Sequence, residues 1–431
     1  MLRAHSNDAR RNWSRVNGLG SNDVFQSLLD ESKSPLAPVW DRIRSIERVT
    51  QRRVLKAFQT ARVGAHNLQG TTGYGYDDHS REKLESVYAL SFQAERAIVR
   101  PQVASGTHAL WICLDGLLDP GDEVISATGA PYDTLRSSIF GAFPHSLASK
   151  GVTFHEVALT DQDSIDFDGM ERLVTPKTRM IYVQRSKGYT WRRATSINEI
   201  ERIASWRRKH VPQAIILVDN CYGEFVEEAE PPAVGADLAV GSLIKNPGGT
   251  LAPSGGYIVG TKSLVERVAD RVTAPGLGLR IGPTLGIARS VMQGLFMSPH
   301  LVSESLQGLT LAAWIFERAG LAALPRWNDA RSDAVQAIRL GDPERLLAFC
   351  RSVQSSSPID SDVYLESAPL PGYSDPVVMA AGTFVQGASS ELTADGPMRD
   401  PFAAYMQGGI SREQIGIALE RLVFDLELFP R

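Results

Sequence analysis

Apolar residues recur at helical spacing near the amino terminus of this chain. In the segment VWDRIRSIERVTQRRVLKAF, Val39, Ile43, Ile46 and Val49 follow one another at intervals of three or four residues, which is the period of one face of an α-helix. The preceding segment SNDVFQSLLDES begins with cap-type residues and continues with an apolar pattern. We therefore predict an amino-terminal helical arm over residues 1–62.

Strand-like runs then alternate with helix-like segments. The runs are AIVRP, EVISAT, VTFHEVAL, RMIYVQ and AIILVD, and Ser196 with Glu199 forms a capping box at one helix start. This alternation is typical of a mostly parallel sheet covered by helices on both faces. After the glycine-rich loop 273–283, two helix-like segments, LGIARSVMQGLFM and SLQGLTLAAWIFERAGLAAL, precede a mixed carboxy-terminal part. We expect an α/β fold with a large domain over 63–285 and a smaller α+β domain over 286–431.

Composition and charge then narrow the classes of function. A net charge of -4 with 22% charged residues gives no electrostatic reason to expect nucleic acid. No run approaches the roughly 18 apolar residues of a membrane span, and the amino terminus is polar where a signal peptide is apolar. The three cysteines show no CxxC spacing, which favours a reducing, cytoplasmic compartment. The histidines lack metal-site spacing, so no metal is expected.

The strongest chemical signal is a pair of polar residues at two strand ends. The apolar run AIILVD ends on Asp219, and 26 residues later ADLAVGSLIK ends on Lys245. In an open parallel sheet, ligands bind beyond the carboxyl ends of the strands. Pyridoxal 5'-phosphate needs an amine that reacts with its aldehyde and a carboxylate that keeps its pyridine nitrogen protonated. Lys245 and Asp219 are our candidates for these two groups.

Three further features fit the same cofactor. Ser105, Gly106 and Thr107 lie between a strand and a helix, where first-turn amides point at an anion, although the same turn is also typical of an ordinary helix cap. Ser242 precedes Lys245 by three residues and offers a hydroxyl to a phosphate. Tyr132 follows a predicted strand end and could lie flat on a planar cofactor, or be a core aromatic.

Several long motifs occur in one order along the chain. They are GYGYDDHSREKLE, RPQVASGTHAL, VQRSKGYTWR, VDNCYGEFVEEAEPPAVGADLAVGSLIKNPGG, GLFMSPHLV and GTFVQGASSELTADGPMRDPF. Together they resemble the methionine gamma-lyase-like family, often labelled aluminium resistance protein, from about residue 65 to the end. This family is similar to the cystathionine and methionine lyases of the aspartate-aminotransferase-like fold type I.

The resemblance implies roles for particular residues. Lys245 corresponds to the Schiff-base lysine, Asp219 to the partner of the pyridine nitrogen, and Tyr132 to the tyrosine that stacks on the ring. Ser105, Gly106, Thr107 and Ser242 correspond to the phosphate-binding groups. In the related lyases a tyrosine-bearing loop from the neighbouring subunit closes the phosphate site, so Tyr74 or Tyr76 is expected to act in trans. A homo-oligomer follows, at least a dimer and by family similarity a tetramer.

The group that binds the substrate α-carboxylate is less well defined. Arg399 in DGPMRDP is one candidate, because a planar guanidinium matches a carboxylate through two parallel hydrogen bonds. The arginine motif of the better-known lyases is not reproduced, so Arg185 in VQRSKGY competes with Arg399. A surface salt bridge is the alternative interpretation of either residue.

We therefore expect a lyase that eliminates a γ-substituent, a thiol or another leaving group such as a halide, from a small amino-acid substrate. The same residues also allow β-elimination, γ-replacement or aminotransfer. A protein that carries the cofactor after its catalysis has decayed is the alternative outside enzymes. Pocket shape, which the motifs do not define, decides which side chain is cleaved.

Overall fold

The structure is a computed structural model that describes residues 21–429, so the first twenty residues of the predicted arm lie outside the described part. The ten α-helices of this part are α1 Ser21–Ala61, α2 His79–Ser91, α3 Gly106–Leu117, α4 Asp133–Phe140, α5 Phe167–Leu173, α6 Ile197–His210, α7 Lys262–Val272, α8 Ala288–Arg318, α9 Pro343–Ser355 and α10 Arg412–Asp425. The twelve strands are β1 Arg96–Arg100, β2 Glu123–Ser126, β3 Thr153–Glu156, β4 Thr178–Gln184, β5 Ile215–Asp219, β6 Leu238–Ser242, β7 Gly256–Gly260, β8 Ala322–Leu324, β9 Val335–Arg339, β10 Val377–Ala380, β11 Thr393–Pro397 and β12 Ala403–Gln407.

Seven strands form the first sheet, in the order β1-β7-β6-β5-β4-β2-β3. Strands β2 to β6 pair in parallel, whereas β7 runs antiparallel to both of its neighbours. The expected mostly parallel sheet in an α/β fold is therefore confirmed. The sequence interpretation missed β7, although its run GYIVG is apolar and fully buried.

The second sheet has five antiparallel strands in the order β10-β11-β12-β9-β8. Apolar side chains of α9, α10 and the end of α8 cover it, among them Phe349, Leu419 and Phe316. A buried ion pair links this sheet to the loop after β4: Lys187 Nζ lies 2.7 Å from one oxygen of Asp333, and neither side chain is exposed. The predicted domain boundaries at 62 and 285 stay a prediction.

Two long helices join the cores of both sheets. In α1, Phe25, Leu28 and Leu36 pack with the core of the second sheet, while Val54 and Ala57 pack with that of the first. Helix α8 likewise supplies residues to both cores. Within the predicted arm, Ser21–Ala61 form the single helix α1, whose apolar face belongs to the core; the arm as a separate unit stays a prediction.

Prolines do not interrupt these helices. Helix α8 runs without a break through Pro299 and joins the two helix-like segments of the sequence into one helix, and α1 contains Pro35 and Pro38. A proline inside a helix removes one backbone hydrogen bond. Burial of long apolar faces compensates for that loss, because tertiary packing contributes most of the stability of such helices.

Two further observations concern single elements. The capping box is confirmed, since Ser196 accepts from the Glu199 amide and the Glu199 carboxylate accepts from the Ser196 amide at 2.8 Å. None of the helices within residues 21–429 has the length and apolar character that crossing a membrane requires.

Candidate active site

A cavity of about 320 Å³ lies between the carboxyl ends of the first-sheet strands and one face of the second sheet. This volume is within the range of small-molecule sites. Its first-sheet side is lined by Gln184, Asp219, Ser242, Lys245 and the start of α3, and its second-sheet side by Val335, Met379, Thr393, Asp395 and Gln407. The cavity therefore brings Asp219 and Lys245 together, as the two strand ends predicted.

Strand pairing explains this proximity. In the register of β5 with β6, Asp219 lies opposite Val240, and the chain reaches Ser242 and then the turn of Lys245 just beyond. Asn246 fixes that turn, because its side chain donates to the carbonyl oxygens of Tyr222 at 3.1 Å and Glu224 at 2.9 Å. The turn after β6 is thus tied to the turn after β5.

The glycines after Lys245 allow close packing of the backbone. Gly249 has a φ of 50°, and a Cβ there would lie 2.2 Å from the carbonyl oxygen of Gly294 in α8. These glycines let the Lys245 turn pack directly on α8. Gly106 is the glycine that serves the cavity, since a Cβ on it would lie 3.1 Å from Ser242.

The start of α3 is built to receive an anion. Ser105 caps this helix through a 3.1 Å bond from the amide of His108, which leaves the first-turn amides of Gly106 and Thr107 at the cavity wall. The amides of a first helical turn have no partner within the helix. With the Ser242 hydroxyl nearby, this group of donors suits a phosphate.

Tyr132 is fixed over the same region. Its hydroxyl lies 2.9 Å from Thr107 Oγ1, and its backbone amide donates to Gln184 Oε1 at 2.7 Å. Burial, reinforced by the negative charge of Asp219, raises the pKa of the Tyr132 phenol far above its usual value. Tyr132 therefore stays a neutral phenol at ordinary pH.

The amine and the carboxylate influence each other electrostatically. Burial raises the pKa of the Asp219 carboxyl, while Lys245 and the amide of Cys221, 3.1 Å from Oδ1, oppose this rise. Desolvation favours the neutral form of Lys245, but Cys221, Tyr222 and Asp219 raise its pKa well above the usual value. Its Nζ also lies 3.9 Å from the centre of the Tyr222 ring.

The set of donors and acceptors fits pyridoxal 5'-phosphate. One wall offers hydroxyls and helix amides for a phosphate, and Lys245 supplies an amine. Asp219, only 4% exposed, supplies a carboxyl that can bind a ring N–H. No cluster of three or more potential metal ligands occurs in the described part of the chain.

Neither of the two candidate arginines is among the residues that line this cavity, and binding of the substrate by one of them stays a prediction. The Arg185 guanidinium is buried and donates at 2.8 Å to Asn220 Oδ1 and to the Gly223 carbonyl, and at 2.6 Å to Glu227. Arg399 donates to Asp375 at 2.8 Å, and its guanidinium also lies 4.0 Å from Asp133, which lines the cavity. Arg185 therefore binds acceptors outside the cavity, whereas Arg399 contacts one residue of its lining.

Tyr74 and Tyr76 lie outside the cavity as well. Their side chains are 74% and 62% exposed on the loop before α2. Arg81 holds this loop by donating to the carbonyl oxygens of Gly75 at 2.6 Å and Gly282 at 2.8 Å. Two tyrosines are thus presented to the outside on a well-fixed loop.

The structure adds residues that sequence reasoning missed. Tyr222 lies three positions after Asp219, so its place beside a strand end was a usable signal. The sequence contains no comparable signal for the other four residues, because they reach the cavity from loops and from the second sheet. These are Tyr189, Tyr373, Asp395 and Gln407.

Comparisons with known proteins agree with this architecture. The family model described as methionine gamma-lyase matches residues 25–427. The uncharacterized Bacillus subtilis protein YnbB is 44% identical over 400 residues, covering 92% of this chain and 95% of YnbB. A Listeria monocytogenes structure, described as a candidate cystathionine beta-lyase involved in aluminium resistance, superposes with a TM-score of 0.90 at 41% identity, covering 93% of this chain and 99% of that one. The L-methionine gamma-lyase of Pseudomonas putida is 28% identical over 305 residues, covering 68% and 70% of the two chains.

Proposed function

The chain belongs to the methionine gamma-lyase family, and from this premise we propose that it uses pyridoxal 5'-phosphate to eliminate a γ-substituent from an amino acid. Family membership makes it a carbon–sulfur lyase by class. The observation that carries the proposal is the shared cavity of Lys245, Asp219, Tyr132 and the α3 amino terminus.

Each of these residues has a task. Ser105, Gly106, Thr107 and Ser242 hold the phosphate through hydroxyls and helix amides. Asp219 binds the protonated ring nitrogen, and Tyr132 covers the ring. The bound cofactor supplies the electron sink that stabilises negative charge at Cα of the substrate.

Lys245 and Tyr132 are assigned the proton transfers. With cofactor and substrate bound, the neutral amine of Lys245 would be the base that removes the Cα proton. Because the Tyr132 phenol is neutral, it can give a proton to a departing thiolate. The Thr107 hydroxyl, 2.9 Å from the phenol oxygen, orients it.

We further propose that the site is completed across a subunit boundary. Tyr74 and Tyr76 are exposed and lie 5.7 Å apart between ring centres on a loop fixed by Arg81. In a dimer with shared sites, such a loop reaches the phosphate of the neighbouring subunit. A tetramer of two such dimers is the assembly that we expect.

Elimination at Cβ is the second candidate, since the Listeria relative is described as a candidate cystathionine beta-lyase. A panel of γ-thio, γ-oxy and γ-halo amino acids, matched with β-substituted ones, tests the proposal. Released 2-oxo acid and ammonia are measured without an added oxo-acid acceptor. We expect turnover of at least one γ-substituted substrate. Turnover of β-substituted substrates alone would favour the second candidate, and dependence on an added acceptor would indicate aminotransfer.

A further inference from the structure

The cavity lacks an expected feature of an amino-acid site. An amino-acid substrate brings an α-carboxylate, yet among the described residues that line the cavity Lys245 is the single cationic side chain. The proposed function assigns Lys245 to the cofactor and to the Cα proton. Within this chain, the groups that remain to hold the substrate carboxylate are therefore neutral hydrogen-bond donors.

Asp395 occupies the middle of the second-sheet wall of the cavity. It lies on β11 opposite Tyr405 of β12, two pairs along from Thr393 opposite Gln407. Gln407 Nε2 donates to Asp395 Oδ1 at 3.1 Å, and the Tyr189 hydroxyl lies close enough to the same carboxyl to lower its pKa. Asp395 is 9% exposed, and it is among the residues that line the cavity. Two neighbours thus hold a nearly buried carboxyl that faces the cavity.

An ionised Asp395 would oppose substrate binding. Two carboxylates in a site of low dielectric repel each other, and one of them gains by taking up a proton. A protonated carboxyl instead donates a strong hydrogen bond to a carboxylate. A buried acid kept neutral in order to donate such a bond is a known device of enzyme sites.

Resting on the proposed function, we infer that Asp395 binds the substrate α-carboxylate in its protonated form and takes the place that an arginine was expected to fill. Gln407 and Tyr189 are positioning residues that orient the Asp395 carboxyl. No covalent bond changes in this step. A single proton is shared between the two carboxyl groups.

The electrostatic surroundings support this inference. Burial raises the pKa of Asp395 to about 7, while the Tyr189 hydroxyl and the charge of Lys245 oppose the rise. The titratable groups that interact with Asp395 come from several elements and are Lys245, Tyr189, Tyr222, Tyr373, Tyr405 and Cys350. Lys245 is the one cation among them, so no second positive charge holds Asp395 ionised.

Equilibrium binding to the holoenzyme tests the inference without turnover. L-norvaline has no leaving group, and L-norvalinamide lacks its carboxylate, so the ratio of their dissociation constants isolates the carboxylate contact. Calorimetric titrations run from pH 6.5 to pH 8.5 on the wild type, Asp395→Asn and Arg399→Ala. Asp395→Asn also serves as the reference for the pH profile. The amines of the two ligands titrate equally in both experiments, so dividing the wild-type ratio by the Asn ratio removes their effect.

We define the preference as the dissociation constant of norvalinamide divided by that of norvaline. Above about pH 7, the preference of the wild type, divided by that of Asp395→Asn, falls by about tenfold per pH unit. The Asn variant keeps an N–H donor that does not titrate, so it retains the preference at high pH. The inference is overturned if the wild-type ratio, corrected for the separately measured pKa values of the two ligand amines, shows no such fall. This correction needs no variant. The inference is also overturned if Arg399→Ala abolishes the preference while Asp395→Asn behaves like the wild type.

A different result would concern the proposed function itself. If the chain takes up no pyridoxal 5'-phosphate, or if the holoenzyme binds neither ligand, the proposed function fails, and the role of Asp395 fails with it. If both ligands bind and cofactor uptake is normal, a ratio of dissociation constants that does not change with pH rejects only the inferred role of Asp395. The proposed function then stands.

Discussion

The Lys245 amine lies 3.9 Å from the centre of the Tyr222 ring, which itself follows the strand end of Asp219. An ammonium over an aromatic face is stabilised by about 0.5–2 kcal/mol. The Tyr222 ring therefore favours the ammonium form of Lys245 in the protein without cofactor. Cofactor uptake requires the neutral amine, so this contact has a measurable consequence.

Tyr222→Leu removes the ring, so the pKa of Lys245 falls. The pH profile of cofactor uptake by the apoenzyme, followed by stopped-flow absorbance, then shifts to lower pH by about one pH unit. Tyr222→Phe keeps the ring face and serves as the matched control. A Leu profile that coincides with the wild type, or a Phe profile that shifts equally, contradicts this account.

Asp219→Asn is expected to leave the cofactor bound but to slow removal of the Cα proton by about 10²-fold or more. Asparagine occupies the same buried space, yet its neutral amide does not hold the ring nitrogen protonated as the carboxylate does. Exchange of the norvaline Cα hydrogen with deuterated water, measured by NMR, reports this step directly. Asp219→Glu keeps the charge and separates its effect from that of geometry. Exchange at the wild-type rate in the Asn variant would remove Asp219 from its proposed role.

Behind the cavity, Glu224 accepts a 2.8 Å bond from the Tyr257 hydroxyl. Burial raises the pKa of Glu224 to about 8, whereas an unfolded glutamate titrates near about 4.3. Between these pH values the folded protein keeps a proton that the unfolded chain has lost. The contribution of Glu224 to the free energy of unfolding is therefore complete below about pH 4 and is lost as the pH rises to about 8.

Glu224→Gln cannot release that proton. Relative to the wild type, its free energy of unfolding rises with pH by up to about 1.4 kcal/mol per unit between about pH 5 and pH 8, and then levels off. Urea unfolding at several pH values measures the difference. Glu201→Gln, on the exposed side of α6, is the control. A difference that stays constant or falls with pH would show that Glu224 is already ionised in the folded protein.

The sequence predicted the part of the site that comes from single strand ends. Asp219, Ser242 and Lys245 follow apolar runs, and parallel strands bring their carboxyl ends to one edge of a sheet. The start of α3 was found for the same reason, since a hydroxyl-rich turn before a helix is a local signal. For these residues, the local sequence pattern was sufficient to predict their position in the fold.

The second-sheet wall could not be predicted in this way. Asp395 and Gln407 meet because β11 and β12 pair in one particular register, and Tyr189 reaches them from a loop of the first-sheet part. Arg185 and Arg399 were plausible by residue type, but Asn220, Glu227 and Asp375 bind their guanidinium groups outside the cavity. Such pairings depend on packing between segments that are distant in sequence, and the pattern of residues along the chain does not reveal these contacts.

The most direct test of the central claim identifies the lysine that binds the cofactor. The protein is incubated with pyridoxal 5'-phosphate, reduced with borohydride, digested and analysed by mass spectrometry. We predict a pyridoxyl group on Lys245, and Lys245→Ala should lose both the visible cofactor absorbance and all turnover. Lys187 is the informative comparison, because it lies nearby but is held by Asp333. Labelling of Lys187 or another lysine, or retained absorbance and turnover in Lys245→Ala, would contradict the account.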